Sequence, residues 1–146
     1  MSKNLLDLAA SLEKKAKQID DAASKSATDC ALAIVGSLAY TTPVDTSKAL
    51  SNWLVSVGAP SLHQVGPHYP GKQGSSQRSS ASEVLTAAKQ ALKAKKPGQT
   101  IYITNNLIYI SILNGGSSEQ AAAGFVERAV LIGKRQLKFK LDDVIK

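Results

Sequence analysis

Few residues of this sequence have the type and spacing that catalysis or ligand binding requires. Residues 66–72 read Gly-Pro-His-Tyr-Pro-Gly-Lys and match the start of a phosphate-binding P-loop. The next position needs a serine or threonine to hold magnesium, and it is Gln73. Pro67 and Pro70 also lack the backbone N–H groups that such a loop donates to phosphate. The sequence therefore predicts no nucleotide site in this segment.

The other candidate ligands and nucleophiles are isolated from one another. His63 and His68 have no cysteine or carboxylate beside them, whereas zinc takes three or four protein ligands. Cys30 falls on the apolar stripe of a predicted helix, where a thiol usually acts as a small buried hydrophobe. Asp45 is better explained as part of a helix cap than as a catalytic acid. Because no carboxylate pair and no Gly-x-Ser-x-Gly motif stands out, we expect a non-enzymatic protein without a cofactor or metal.

The first element that the pattern predicts is a long helix. Apolar residues recur at three- and four-residue steps from about Asn4 to Tyr40, so residues 1–40 are predicted to form one helix, with a break at Ala23-Ser24 as the alternative. This length is about three times the average of about 12 residues. We therefore expect the charged first half to project towards neighbouring subunits or to fray in the free protein. The stripe consists of Leu5, Leu8, Leu12, Ala16, Ile19, Ala23, Cys30, Ile34 and Leu38.

A small sheet and two more helices are predicted further along the chain. Two short apolar runs, Trp53–Val57 and Thr100–Thr104, are typical of β-strands. The Ser80–Glu83 spacing matches a capping box, which predicts a helix from there to about Lys95. The last amphipathic segment spans about Ala123–Lys140. As the only tryptophan, Trp53 is expected to anchor the core.

The connections between these elements are partly ambiguous. Pro43 should end the first helix, and residues 45–47 offer oxygens to cap a short helical turn. Glycine, proline and serine dominate residues 58–80, which predicts a long flexible loop. The apolar segment Leu107–Leu113 fits a strand or a short helix, and Gly115 suits a helix C-cap. Together these features predict one α+β domain over residues 1–146, in which two further helices pack on a small antiparallel sheet.

Composition limits the possible function classes. No stretch approaches the roughly 20 apolar residues that span a bilayer, the opening residues do not fit a signal peptide, and the single cysteine is typical of an intracellular protein. The formal net charge of +7 favours anionic partners such as DNA. A small basic nucleic-acid-binding protein is therefore an alternative. Its aromatic residues, however, are not interleaved with basic ones as in single-strand binders.

Two segments resemble a family of bacteriophage proteins. Residues 42–53 read Thr-Pro-Val-Asp-Thr-Ser-Lys-Ala-Leu-Ser-Asn-Trp, which resembles the Thr-Pro-Val-Asp-Thr-Gly…Trp signature of tail-completion and head–tail joining proteins of tailed phages. Residues 102–110 and 116–126 are similar to the second block of that family, in the same order and separation. That block reads Asn-x-x-Tyr, then Leu-Glu-Tyr-Gly, then Gln-Ala-Pro-x-Gly-Met-Val. The chain departs from these patterns at Ser47, Asn114, Gly115, Ala122 and Phe125.

The resemblance implies a structural protein of the virion neck, assembled in the bacterial cytoplasm. Members of this family are not catalytic, and their signature positions shape loops and subunit contacts. The implied partners are further copies in a sixfold or twelvefold ring, the tail-tube protein and the head–tail connector or portal, with DNA passing through without sequence readout. The candidate interface residues are Asp45, Thr46, Trp53, Asn105, Tyr109, Ser117, Gln120 and Gly124.

Overall fold

A computed structural model of the chain describes residues 4–116 and 123–137. The elements within these ranges form an α+β fold, as predicted, with a two-stranded antiparallel sheet. In chain order they are α1 (Leu5–Thr41), α2 (Lys48–Ser51), β1 (Leu54–Val57), α3 (Gln77–Leu92), β2 (Ile101–Thr104), α4 (Ile110–Asn114) and α5 (Phe125–Lys134).

Helix α1 runs unbroken for 37 residues, so the alternative break at Ala23-Ser24 is wrong. Its first turn is capped by the Asn4 side chain, which accepts a hydrogen bond from the Asp7 N–H at 2.8 Å. It ends where predicted, because Pro43 holds Thr42 in an extended conformation.

The core forms where the second half of α1 packs against α3 and α5. The core residues that α1 contributes are Val35, Leu38 and Ala39. The centre of the fully buried face of α1 therefore lies beside Cys30 and Ile34 of the predicted apolar stripe. The other core residues are Val44, Leu50, Trp53, Ala81, Val84, Ala88, Phe125 and Ala129.

The sheet pairs Leu54 with Thr104 and Val57 with Ile101. Each strand is one residue shorter than predicted, since Trp53 and Thr100 lie just outside. Val55 and Ile103, which are register partners, pack together against the core. The sheet thus covers the core while β1 lies against α3.

Helix α3 begins at Gln77, not at the predicted capping box. Ser80 is fully buried inside the helix. Its hydroxyl accepts a hydrogen bond from the Tyr69 N–H at 3.2 Å, so it holds the preceding loop instead of capping the helix. Local spacing alone could not reveal that partner.

The last two helices are shorter than the apolar pattern predicts. Leu107–Leu113 gives the short helix α4 and not a strand, and Gly115 occupies its C-cap. The left-handed conformation falls on Gly116, at φ 92°. Helix α5 ends at Lys134, before the predicted end, and positions 138–140 lie outside the described residues.

The long segment between β1 and α3 has no helix or strand, as expected, but side chains of the core hold it. The buried Asn52 both donates to the Val65 carbonyl and accepts from the Val65 N–H, each at 2.8 Å. The Asn106 amide donates to the carbonyls of Ser61 and His63. Mobility of this loop in the free protein stays a prediction.

Candidate subunit interface

Trp53 belongs to the core. Its side chain is 8% exposed, and its indole Nε1–H donates to Thr42 Oγ1 at 2.8 Å. Thr42 in turn donates to the Leu38 carbonyl at the end of α1. The ring therefore joins the first signature block to α1 and offers little surface to another subunit.

Asp45 and Thr46 are exposed on the stretch between α1 and α2. The expected capping role of residues 45–47 is wrong, because Ser47, the N-cap residue of α2, makes no side-chain cap bond and adopts φ 69°. The Asp45 carboxylate instead accepts the Gln73 N–H at 2.6 Å, and its carbonyl accepts the Gly74 N–H at 3.0 Å. Asp45 thus fixes the loop that leads into α3.

Residues 43–49 form one wall of a surface cleft of about 280 Å³, and Tyr109 and Leu113 form the other. Tyr109 is 39% exposed, and partial burial raises the pKa of its phenol. The fold therefore brings three predicted interface residues, Asp45, Thr46 and Tyr109, to one place. They come from the two separate blocks that carry the family resemblance.

Asn105 supports this cleft from behind. Its amide donates to the Ala49 carbonyl at 2.9 Å, and Ala49 is part of the cleft wall. Its side-chain oxygen accepts the Leu107 N–H at 3.2 Å. Asn105 therefore links the end of β2 to α2. It also positions the segment that leads into α4, which forms the other wall of the cleft.

Gly124 forms the turn that starts α5. Its φ of 81° lies in the left-handed region that favours glycine, and its N–H donates to the Asn114 carbonyl at 2.8 Å. The Asn114 side chain accepts the Val126 N–H at 2.9 Å, so Asn114 caps α5 from the end of α4. The remaining candidates, Ser117 and Gln120, lie outside the described residues.

The same Asn114 side chain perturbs a carboxylate. Its amide lies 3.0 Å from both oxygens of Glu127. This hydrogen bonding, helped by a backbone hydrogen bond to Glu127, holds the pKa of the Glu127 carboxyl below its usual value. The junction between α4 and α5 is thus a charged, hydrogen-bonded corner beside Leu113 of the cleft.

Apolar side chains beside the cleft are exposed to solvent. Ile108 is 91% exposed and Ile112 is 60% exposed, and they flank Tyr109 in sequence. On α5, Leu131 is 56% and Ile132 is 41% exposed. Exposed apolar groups next to a cleft are typical of interaction surfaces, so Ile108 and Ile112 make the α4 side of the cleft a candidate contact. The predicted interface residues did not include these exposed apolar side chains. The sequence held a signal for those on α4, because the apolar run Leu107–Leu113 exceeds what one short helix can bury.

A second exposed apolar surface lies at the start of α1. We define the arm as residues 4–18, where every side chain except Ser11 is exposed. Leu5 is 83%, Leu6 79% and Leu12 58% exposed. The expectation that the first half of α1 projects from the domain agrees with this exposure.

The P-loop-like segment is not a phosphate cradle. Its N–H groups at His68, Tyr69 and Lys72 already donate to the hydroxyls of Ser51, Ser80 and Ser75. No group of three or more histidine, cysteine or acidic side chains within residues 4–116 and 123–137 could hold a metal ion. Among the helices of these ranges, none is long and apolar enough to cross a membrane.

Comparison of the chain with models of protein families, with curated proteins and with solved structures gives no match.

Proposed function

We propose that this protein is a non-catalytic structural subunit of the neck of a tailed bacteriophage, which completes the tail and joins it to the head-side connector as part of a ring. One observation carries the proposal. Residues from both blocks that resemble the tail-completion family, among them Thr46 and Tyr109, line a single cleft although they are far apart in the sequence. A chance resemblance of two short segments gives no reason for them to meet.

The distribution of exposed apolar groups supports the ring. Subunits of a ring use head-to-tail contacts, so each subunit needs two different surfaces. The arm of α1 is one such surface, and the cleft with Ile108 and Ile112 is another. The two are formed by different segments of the chain, and their leucines and isoleucines would otherwise stay in water.

The neck position explains the basic character of the chain. A ring between head and tail surrounds the path of the DNA. Subunits with a net charge of +7 do not repel this passing polyanion, and their attraction to its phosphates is independent of sequence. Under this proposal the protein is a component of the virion, assembled in the bacterial cytoplasm. Its partners are copies of itself, the tail-tube protein and the connector or portal.

The decisive experiment is the mass of the purified protein by native mass spectrometry, alone and mixed with tail-tube or connector protein. We expect a ring of six or twelve copies, either alone or once the partner is added. Ile112→Asp should reduce this assembly because it places a charge on the proposed contact. Ser111→Asp is the matched control, since Ser111 is also exposed on α4.

A protein that stays monomeric with every partner, yet binds DNA tightly at physiological salt, would overturn the proposal. It would favour the small basic nucleic-acid-binding protein instead. A ring of six would indicate a tail terminator, and a ring of twelve would indicate an adaptor.

A further inference from the structure

The outer edge of β2 has no strand beside it in the described part of the chain, where β2 pairs with β1 on one side only. The Gly58 N–H donates to the Thr100 carbonyl at 2.9 Å, and hydrogen-bonded pairs alternate with non-bonded pairs along an antiparallel ladder. The backbone N–H and C=O groups of Ile101 and Ile103 therefore point away from β1. An edge of this kind is a template for a further strand.

An apolar pocket of about 330 Å³ lies beside this edge. Its walls include Cys30 and Ile34 of α1 and Ile101 and Ile103 of β2. Of the two strands, only β2 lines it, which places the pocket towards the outer edge. Because successive side chains of a strand point to opposite faces of the sheet, a strand added at this edge would direct every second side chain into the pocket.

The chain itself arrives at this pocket. Leu137, the last described residue, is one of its walls and is 53% exposed. Residues 138–146 follow it directly, and in extended form they would span about 30 Å at about 3.3 Å per residue. The four-residue strand β2 is less than half as long. These residues therefore begin at the pocket and can reach along the whole edge.

The first of these residues alternate in character. From Leu137 to Leu141 the sequence reads Leu-Lys-Phe-Lys-Leu, and strict alternation of apolar and polar side chains is typical of a strand with one buried face. With Leu137 at the pocket, an extended chain would turn Phe139 and Leu141 towards it and Lys138 and Lys140 away from it. Burial of the two apolar side chains would then stabilise the added strand.

We propose that residues 138–141 form a third strand on the outer edge of β2 of the same chain, with Phe139 and Leu141 in the apolar pocket. An isolated two-stranded sheet is marginally stable, and a third strand reinforces it. The proposal goes beyond the proposed function and does not depend on a ring. Its consequence for partners is that the edge of β2 is closed to strand pairing with another subunit.

Amide hydrogen exchange of the full-length protein, followed by NMR, tests the added strand. We expect the N–H groups of Ile101 and Ile103 to be protected in the wild type. Phe139→Ser should speed their exchange by about tenfold or more, whereas the Tyr102 N–H, which points to β1, should change little. Lys140→Ser is the matched control, since its side chain points away from the pocket in the proposed strand.

Two results of this experiment would overturn the proposal. Fast exchange of Ile101 and Ile103 in the wild type would mean that no strand covers the edge. Equal effects of Phe139→Ser and Lys140→Ser would mean that the alternation of the segment does not decide how it binds.

Cys30, the single cysteine of the chain, identifies the molecule that supplies the strand, because it lines the pocket. Mild oxidation of Phe139→Cys should form a disulfide with Cys30 within one chain, seen on non-reducing gels as a monomer without free thiols. Lys140→Cys should give severalfold less of it. Equal linking at both positions, or linking into dimers, overturns the proposal, since dimers assign the strand to another copy. A native mass that stays monomeric with every partner would remove the proposed function and leave this strand standing.

Discussion

Asn52 shows how single buried polar residues hold the irregular part of the fold. Its side chain is fully buried and makes three hydrogen bonds of 2.8 Å, two with Val65 and one with the Lys48 carbonyl. Buried polar groups are normally paired in this way. A loop without helix or strand thereby gains the fixed backbone partners that a sheet would otherwise provide.

We predict that Asn52→Ala lowers the free energy of unfolding by roughly 2–3 kcal/mol, because it leaves backbone groups of Val65 and Lys48 without partners inside the protein. Urea unfolding measures this change. Asn106→Ala is the control. It also removes two loop contacts, but at a less buried position where water can replace them, so its effect should be clearly smaller. Equal losses would contradict the importance of burial.

Glu127 gives a prediction about pH. Hydrogen bonds, first from Asn114, lower its folded-state pKa from the ordinary value of 4.5. A carboxyl with a lowered pKa stabilises the fold above its unfolded pKa, and this contribution is lost as the pH falls through the folded value. We therefore expect acid to destabilise the wild type more than Glu127→Gln below about pH 4.5.

An NMR titration checks the cause. The pKa of Glu127 should lie below its ordinary value in the wild type and should rise in Asn114→Ala, which removes the amide. The same pKa in both proteins would show that Asn114 is not responsible.

At the scale of elements, the contact between α1 and α5 depends on one glycine. A Cβ added at Gly133 would lie within 2.7 Å of the Ile34 Cδ1 atom and 3.0 Å from the Cys30 carbonyl oxygen. The helices can approach this closely only because residue 133 has no side chain. Leu137, just after α5, lies with Cys30 and Ile34 of α1 around one shallow apolar pocket.

We predict that Gly133→Ala destabilises the protein by about 1–3 kcal/mol, because the overpacked helices must move apart. The matched control is Gly36→Ala on α1, where the new Cβ would meet only Leu85 at an ordinary 3.8 Å. That substitution should leave stability unchanged or raise it by up to about 1 kcal/mol through helix propensity. Chemical denaturation of both variants measures the difference. Similar results for the two would contradict this packing.

At the scale of the whole molecule, the excess positive charge is partly concentrated on one side of α3 and the turn after it. Lys89, Lys93 and Lys96 are exposed, and Lys95 contacts Ser24 of α1. Under the proposed function, this face meets an acidic partner ring or passing DNA.

We predict weak DNA binding, with a Kd of about 1–100 μM at physiological salt, equal for duplexes of unrelated sequence and weaker as salt rises. Replacing Lys89 and Lys93 with glutamine should weaken it further. Replacing Lys14 and Lys15 removes the same charge from the arm and serves as the control. Fluorescence anisotropy measures all of these. Tight, sequence-selective binding would favour the nucleic-acid-binding alternative.

Much of the fold could be predicted because its signals are local. The apolar period and the proline at position 43 defined α1 to within a residue or two, and the β-branched runs located both strands. The start of α3 could not be found this way, since the buried Ser80 hydroxyl bonds a distant loop. The end of α5 was overestimated because its amphipathic pattern continues past the helix.

The sequence pointed to Asp45, Thr46 and Tyr109 of the cleft, but not to their arrangement and not to the exposed Ile108 and Ile112 beside them. By itself, the sequence determined the class of fold, the long helix and the two blocks that resemble a phage family. Only the tertiary structure decided that Asp45 and Tyr109 share a cleft, that Trp53 is buried and that Ile108 stands in solvent. The physical reason is range: periodicity and capping act within a few residues, whereas burial and clefts depend on contacts between segments far apart in the chain.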